Sequence, residues 1–300
     1  MNVIEVRELY KNFGKVQALR GLNLSLPQGE VVGFLGPNGS GKTTTIRILL
    51  GLLKADKGAI SLFGGDPWTD SVSLHKRLVY VPGEVALWPK LTGGEVIDVL
   101  SSLTGRLEPE RKKRMLDLFD LDPTKKARTY SKGNRQKVAL VAALASRAEL
   151  LVLDEPTSGL DPLMEAAFTD CIQEIKNEGR SVLLSSHIFS EVEKLADTIT
   201  IIKDGATIES GTLAQLRHLT RTHVSIVLKK DASGLSAVKG IHEIKIEGNH
   251  VTFSLDNAAI PAALERIAAL EPVGLVINPP SLEDLFLSHY KSEDGAVSGK

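Results

Sequence analysis

The sequence predicts an α/β fold: a mostly parallel sheet with crossover helices, interrupted by a helical subdomain and followed by a small α+β domain. Three observations predict it. Strand-like and helix-like runs alternate from the start of the chain to about residue 215, the pattern of a sheet whose strands are joined by helices. One alternation, "GEVVGFLG" into "GKTTTIRILLGLL", turns on a glycine-rich loop. The 300 residues with 42% hydrophobic content suffice for about two domains, each with a buried core.

In chain order, "GEVVGFLG" reads as a strand and the run after it as a helix, with Ile46, Leu49, Leu50 and Leu53 on one face. Residues 84 to 147 read as mostly helical, through "LTGGEVIDVLSSL", "EPERKKRMLDLFDL" and "ARTYSKGNRQKVALVAALAS". They form the inserted subdomain. "ELLVLDEP", "RSVLLSSH" and "DTITIIKDGATIES" are short apolar runs bounded by turn signals, as expected of central strands. Between the first two of these, a helix is marked by Asp161 as cap, Pro162 at its first position and Gly179 as its stop. Phe168, Cys171, Ile172 and Ile175 share its apolar face. Residues 222 to 290 read as the small α+β domain, and the tail 291 to 300, "KSEDGAVSGK", as disordered.

Composition excludes several classes. Lys plus Arg total 36 against 37 for Asp plus Glu, a net charge of -1, so the chain lacks the excess positive charge that a nucleic-acid surface needs. No nucleic-acid partner is expected. The single cysteine, Cys171, reads as a small buried hydrophobe in a reducing compartment. The seven histidines form no metal cluster; the closest pair, His218 and His223, reads as surface or loop. The amino terminus carries no secretory apolar run. Apolar runs such as "VALVAALA" fall well short of the ~20 residues that span a bilayer, so the chain is expected to be soluble by itself.

The chemistry lies in two motifs. "GPNGSGKTT", comprising Gly36, Pro37, Asn38, Gly39, Ser40, Gly41, Lys42, Thr43 and Thr44, fits G-x-x-x-x-G-K-[ST] between a strand and a helix. Its glycines let backbone N–H groups point at phosphates, Lys42 neutralises the β- and γ-oxygens, and Thr43 offers its hydroxyl to Mg²⁺. A nucleoside triphosphate is the expected ligand. "LLVLDEP" ends a strand in two carboxylates, with Asp154 suited to the Mg²⁺ shell and Glu155 to polarising a water against the γ-phosphate. A third stretch, "YSKGNRQKV", sets Ser131 and Gly133 before a helix. Alone it is either a helix cap or a phosphate site.

Taken in order, "GPNGSGKTT", "YSKGNRQKV", "LLVLDEP", "SGLD" and "SSH" resemble the nucleotide-binding subunit of an ABC transporter over residues 1 to about 215. The region closing on "PPSLEDLFLSHY" resembles the C-terminal extension of ATPases serving ABC-2-type exporters, including antibiotic and multidrug efflux systems. The resemblance implies a P-loop NTPase core of ABC type at 1–215 with its helical subdomain at 84–147 and an accessory α+β domain at 222–290. It implies an ATPase using ATP and Mg²⁺ whose subunits pair head to tail, either with a second copy of the chain or with a second, similar subunit; the complete set of candidate catalytic residues favours the homodimer. It also implies an integral-membrane permease as partner, at the cytoplasmic face of the cell membrane, with export of a drug, antibiotic or lipid-like molecule. Ser131, Gly133 and Asn134 would face the γ-phosphate held by the partner copy, and His187 would contact the γ-phosphate in its own chain. Ser158 to Asp161 would link the two sites. Phe13 stands where an aromatic stacks on adenine; a core phenylalanine is the alternative.

Two departures from the family pattern stand out. The signature reads Tyr130, Ser131, Lys132, Gly133, Asn134, with Lys for the first glycine and Asn for the glutamine. The phosphate contacts come from the serine hydroxyl and backbone N–H groups, so a competent site is expected. Where the family carries a glutamine after the proline of "VYVPGEVALWPKLT", this chain has Gly83 followed by Glu84; Glu84 either replaces it as a Mg²⁺ ligand through a one-residue shift or does not. Trp88 is either packed or part of an exposed patch for a membrane subunit. Two rivals follow from the same residues: a soluble ABC-type ATPase acting on ribosome or DNA, and a regulatory ATP-binding module.

Overall fold

The structure is a computed structural model and describes residues 1–103, 108–217, 221–228, 235, 238–279 and 281–286. His218 and the tail 291–300 lie outside the described residues. The chain divides into two units, Met1–Gly211 and Thr212–Lys300.

The first unit contains β1 (Asn2–Phe13), β2 (Val16–Pro27), β3 (Val31–Leu35), α1 (Lys42–Leu49), β4 (Lys57–Leu62), α2 (Ser71–His75) and β5 (Leu78–Val81). The expected helical stretch then supplies α3 (Gly93–Ser102), α4 (Pro109–Leu118) and α5 (Lys132–Ala145). The chain continues through β6 (Leu150–Asp154), α6 (Pro162–Asn177), β7 (Ser181–Ser186), α7 (Phe189–Leu195), β8 (Thr198–Lys203) and β9 (Ala206–Thr212). Every residue of β3, β6 and β7 is buried, as required of parallel strands covered on both faces. Their sheet runs β5-β6-β7-β3-β8-β9. The parallel register sets Asp154 beside Ser185 and Leu35 beside Ser186. The loop after β3 and the ends of β6 and β7 therefore share the carboxyl edge of the sheet, where open α/β sheets bind ligands.

Two strand expectations are corrected. The amino-terminal 27 residues do not alternate strand and helix: β1 and β2 form a long antiparallel hairpin, and β4 pairs on the other side of β1 in a three-stranded sheet. Burial in β2 alternates along most of its length, the signature of a sheet with one covered face. "DTITIIKDGATIES" is two strands, since Asp204 and Gly205 both take positive φ (47° and 79°) between β8 and β9. That pair of left-handed residues is what a tight hairpin turn demands.

In the helical stretch, α5 packs against α3 and α4 and is buried continuously from Val138 to Ala145. The run from Val138 to Ala145 has no polar face, and a helix apolar all round is a buried one. The cap of α6 is as the sequence indicates, with the Asp161 carboxylate accepting from Met164 N–H at 3.0 Å and Gly179 at φ 76°. Cys171 is buried on that helix, 3.8 Å from Met115 Sδ, and burial raises its thiol to about 11.

The second unit holds α8 (Leu213–Arg217), β10 (Thr222–Val227), β11 (Ile241–Glu247), β12 (His250–Leu255), α9 (Ile260–Ala269) and β13 (Gly274–Asn278). The strands make an antiparallel sheet in the order β11-β12-β10-β13. Val224, Ile226, Val251, Phe253 and Leu255 pack with Ala263 and Ile267 of α9 into its own core.

Candidate active site

β3 runs into a loop whose glycines answer to space at Gly36 and to positive φ at Gly39 (83°) and Gly41. A Cβ on Gly36 would lie 2.4 Å from Ile202 O and 2.6 Å from Ser40 Oγ. Gly41 takes φ 108° and caps α1 without a side-chain partner for the first N–H groups. The first turn of α1 carries no acidic residue, so its unsatisfied N–H groups and dipole present positive character to the loop. Asn38 and Gly39 are exposed, and a Cβ on Gly39 would meet nothing within 4 Å. Ser40 Oγ is buried without a hydrogen-bond partner. Lys42 is buried, and its Nζ donates to Gly36 O at 2.6 Å and Pro37 O at 3.1 Å. Burial pulls its ammonium below the usual lysine range, with Glu155 and Asp154 acting in the opposite direction. A buried cation, an orphaned hydroxyl and a bare helix start fit a polyphosphate. Thr44 follows on the same helix, half-buried.

Next to this loop, at the end of β6, Asp154 is buried and accepts from Thr43 Oγ1 at 3.0 Å and from Ser185 Oγ at 2.8 Å. The oxygen set of Asp154 and Thr43 suits a hard divalent cation such as Mg²⁺. Glu155 leaves the strand at φ 49°, a left-handed conformation that non-glycine residues adopt at a cost of the order of 1–3 kcal/mol. Its N–H donates to Ser185 O at 2.9 Å, and its Oε1 lies 3.1 Å from Nδ1 of the exposed His187. The structure thus brings Lys42, Thr43, Asp154, Glu155 and His187 to one edge. Ser185 escaped the sequence reading; its signal is the first hydroxyl of "SSH" at the end of an apolar run.

Gly83, not Glu84, lies against the acid pair. A Cβ on Gly83 would be 3.2 Å from Asp154 O and 3.6 Å from Glu155 Cβ. Glu84 is exposed. Among the described residues no group of three or more His, Cys, Asp or Glu side chains is placed to hold a metal ion, so Glu84 does not join Asp154 and Glu155 in such a group.

The signature stretch is built apart from the loop at 36–44. Ser131 caps α5, its Oγ accepting from Asn134 N–H at 3.2 Å, which leaves the exposed hydroxyl proton free to donate. Gly133 packs so closely that a Cβ would sit 2.5 Å from Gly159 O. Lys132 Nζ reaches Ser158 Oγ at 3.4 Å, and buried Gln136 donates to Pro156 O at 3.0 Å. Among the described residues no hydrogen bond joins Ser131, Gly133 or Asn134 to the loop at 36–44.

Phe13, at the end of β1, is 50% exposed with Lys11 Nζ 5.7 Å from its ring centre; the core alternative is set aside. Trp88 is 51% exposed. It borders an apolar groove of about 650 Å³ whose walls include Leu52, Val72, Tyr80, Val85 and Leu103. Burial, reinforced by Asp154, raises the Tyr80 hydroxyl to about 12. No helix among the described residues is long and apolar enough to cross a membrane.

Comparisons with known proteins agree with this geometry. The family model described as "ABC transporter" matches residues 19–158. One described as "ATP-binding protein DrrA1-3-like, C-terminal domain" matches residues 211–290. The uncharacterized ABC transporter ATP-binding protein YhaQ of Bacillus subtilis (strain 168) is 33% identical, covering 95% of this chain and 97% of its own length. The daunorubicin resistance ATP-binding protein DrrA3 of Streptomyces coeruleorubidus is 32% identical over 96% of this chain and 95% of its own. Among solved structures, an ATP-binding subunit of an ABC transporter superposes with a TM-score of 0.67 at 30% identity, covering 72% of this chain and 92% of that one. With a relative matching nearly the whole of both chains, the chain belongs to the ATP-binding proteins of ABC transporters, and it is an ATPase.

Proposed function

We propose that two copies of this chain close head to tail and power export of a drug, antibiotic or lipid-like molecule through a separate permease, at the cytoplasmic face of the cell membrane. The observation that carries the reading is the separation within one chain of the exposed Ser131 cap from the loop at 36–44. A second copy supplies the missing donors: Ser131, the N–H groups at the start of α5 and the nearby Lys132 meet the γ-phosphate, with Gly133 and Asn134 in that first turn. Export of such a cargo is supported by the match of residues 211–290 and by the daunorubicin resistance named for DrrA3. The exposed groove beside Trp88 is apolar enough to receive a cytoplasmic helix of the permease.

The residues divide the work. Phe13 offers a ring to adenine. Lys42, the freed Ser40 hydroxyl and the N–H groups from Gly39 to Thr44 hold the β- and γ-phosphates. Thr43 and Asp154 would hold Mg²⁺, which supplies charge neutralisation and a fixed orientation for the phosphate oxygens. Ser185 keeps one oxygen of Asp154 occupied so that the other turns toward Thr43. When the His187 ring turns from Glu155 to a γ-phosphate oxygen, Glu155 Oε1 is freed to accept a proton from the attacking water.

The test is co-expression with the membrane protein that co-purifies with the chain. Drug accumulation should fall in cells carrying the pair and return to the control level with Lys42→Ala. Turnover that ignores the membrane partner, with co-sedimentation on ribosomes, would contradict the reading.

A further inference from the structure

Two catalytic side chains of this site come from different strand ends, and one carboxylate ties those ends together. Glu191, half-buried on α7, accepts from Thr157 Oγ1 at 2.7 Å through Oε1 and from Ser186 Oγ at 3.1 Å through Oε2. Thr157 stands two residues after Glu155, and Ser186 immediately before His187. Both hydroxyl residues are buried, 7% and 2% exposed, so water does not replace the carboxylate as their acceptor without a rearrangement. The Ser186 hydroxyl has a second duty, accepting from Ile188 N–H at 2.9 Å across His187. The turn at Glu155 closes on Ser158 N–H, 3.2 Å from Glu155 O, and Gln136 holds Pro156 O from its other side. Glu191 is the cross-link between this turn and the strand end that carries His187.

We propose that Glu191 is a positioning residue for hydrolysis: its carboxylate clamps the turn after Glu155 to the end of β7 and thereby fixes the separation of Glu155 from His187. Glu191 makes no hydrogen bond to either side chain, so it acts through Thr157 and Ser186. The left-handed conformation of Glu155 makes the clamp necessary, because a strained residue persists only where its surroundings over-determine it. The same link joins the loop that packs under the signature helix to the end of β7, so a displacement of Ser158 is passed to His187 through two hydrogen bonds. The proposal rests on the roles given above to Glu155 and His187.

The test compares Glu191→Ala, Glu191→Gln, Thr157→Val and Glu155→Gln in the full-length chain, reading kcat, KM for ATP and Tm. Misplacing a reacting group by about 1 Å costs up to about 100-fold in rate. Glu191→Ala is expected to lower kcat about tenfold or more with KM near the parent value, and to lower Tm because two buried hydroxyls lose their acceptor. Glu191→Gln keeps an acceptor for Thr157 and can donate to Ser186, and should recover most of that loss. Thr157→Val should lower kcat alone and add little on top of Glu191→Ala, as residues of one network do. A kcat within about twofold of the parent in Glu191→Ala, losses that add, or a kcat loss matched by an equal loss of ATP affinity would each overturn the proposal. Turnover surviving Glu155→Gln overturns the reading of Glu155 itself; an inactive Glu155→Gln beside a fully active Glu191→Ala overturns only the clamp.

Discussion

The loop at 36–44 and the stretch at 131–136 are both phosphate-type helix starts, yet they are finished to different degrees. At the first, Lys42 is buried, Asp154 has a hydroxyl on each oxygen, and Ser40 sits ready beneath the loop. At the second, Ser131 and Lys132 face solvent with one capping hydrogen bond and a long contact to Ser158. One helix start is assembled around a buried cation and the other is left open on the surface; in the proposed dimer they are the finished and the open half of one site. Under the proposed pairing, the donors at 131–134 reach the γ-phosphate only from a partner copy, so the separate chain is expected to bind ATP and to turn it over slowly.

The largest expected effect probes the finished half. Glu155→Gln removes the proton acceptor without removing bulk, and turnover should fall by roughly 10²–10⁴-fold, the range of general-base contributions, while nucleotide binding, measured by fluorescence titration, persists. Ser131→Ala probes the open half. It should lower turnover by about tenfold to 100-fold through the lost donor and leave ATP binding by the separate chain unchanged, because among the described residues no hydrogen bond joins Ser131 to the loop at 36–44. If instead it weakened ATP binding and spared turnover, the two halves would not differ as described.

Glu84→Ala tests the region between them. With Gly83 against Asp154 and Glu84 exposed, a carboxylate that moves in only when the site closes would show as a loss of Mg²⁺-dependent turnover of about tenfold with ATP binding kept; turnover at the parental level would exclude Glu84 from the site. The smallest effect is at Cys171. Its thiol is raised to about 11, first by burial and then by the Glu174 carboxylate, so at pH 8 alkylation should be slow in the folded chain and fast in denaturant, with no change in activity on Cys171→Ala.

How much of this was legible in the sequence follows from how local each feature is. The phosphate loop and the acid pair lie in contiguous runs whose glycines and carboxylates have one job at that spacing, and both were read with the correct strands and helices around them. The cap at Asp161 and stop at Gly179 were equally local. In the antiparallel sheet of β1, β2 and β4, the β1–β2 hairpin closes locally at Gly14 and Lys15, a turn signal passed over, whereas Val6 pairs with Ile60 across 54 positions, and no short-range signal announces that partner. β8 and β9 were fused because "KDG" interrupts two runs of similar apolar character. Ser185 and Glu191 were passed over for another reason: each acts on a neighbour in space, and only the register of β6 with β7 puts Ser185 on Asp154. Phe13 and Trp88, whose burial the sequence left open, are settled by exposure, since neither belongs to the core.

In the proposed dimer, ATP joins the finished half of one chain to the open half of another. Sedimentation velocity of Glu155→Gln with ATP and Mg²⁺ tests it most directly. A dimer that forms with ATP, not with ADP, and that is lost when Ser131→Ala is added is the predicted result. A chain that binds ATP and keeps a nucleotide-independent sedimentation coefficient, or a dimer indifferent to Ser131→Ala, would contradict it.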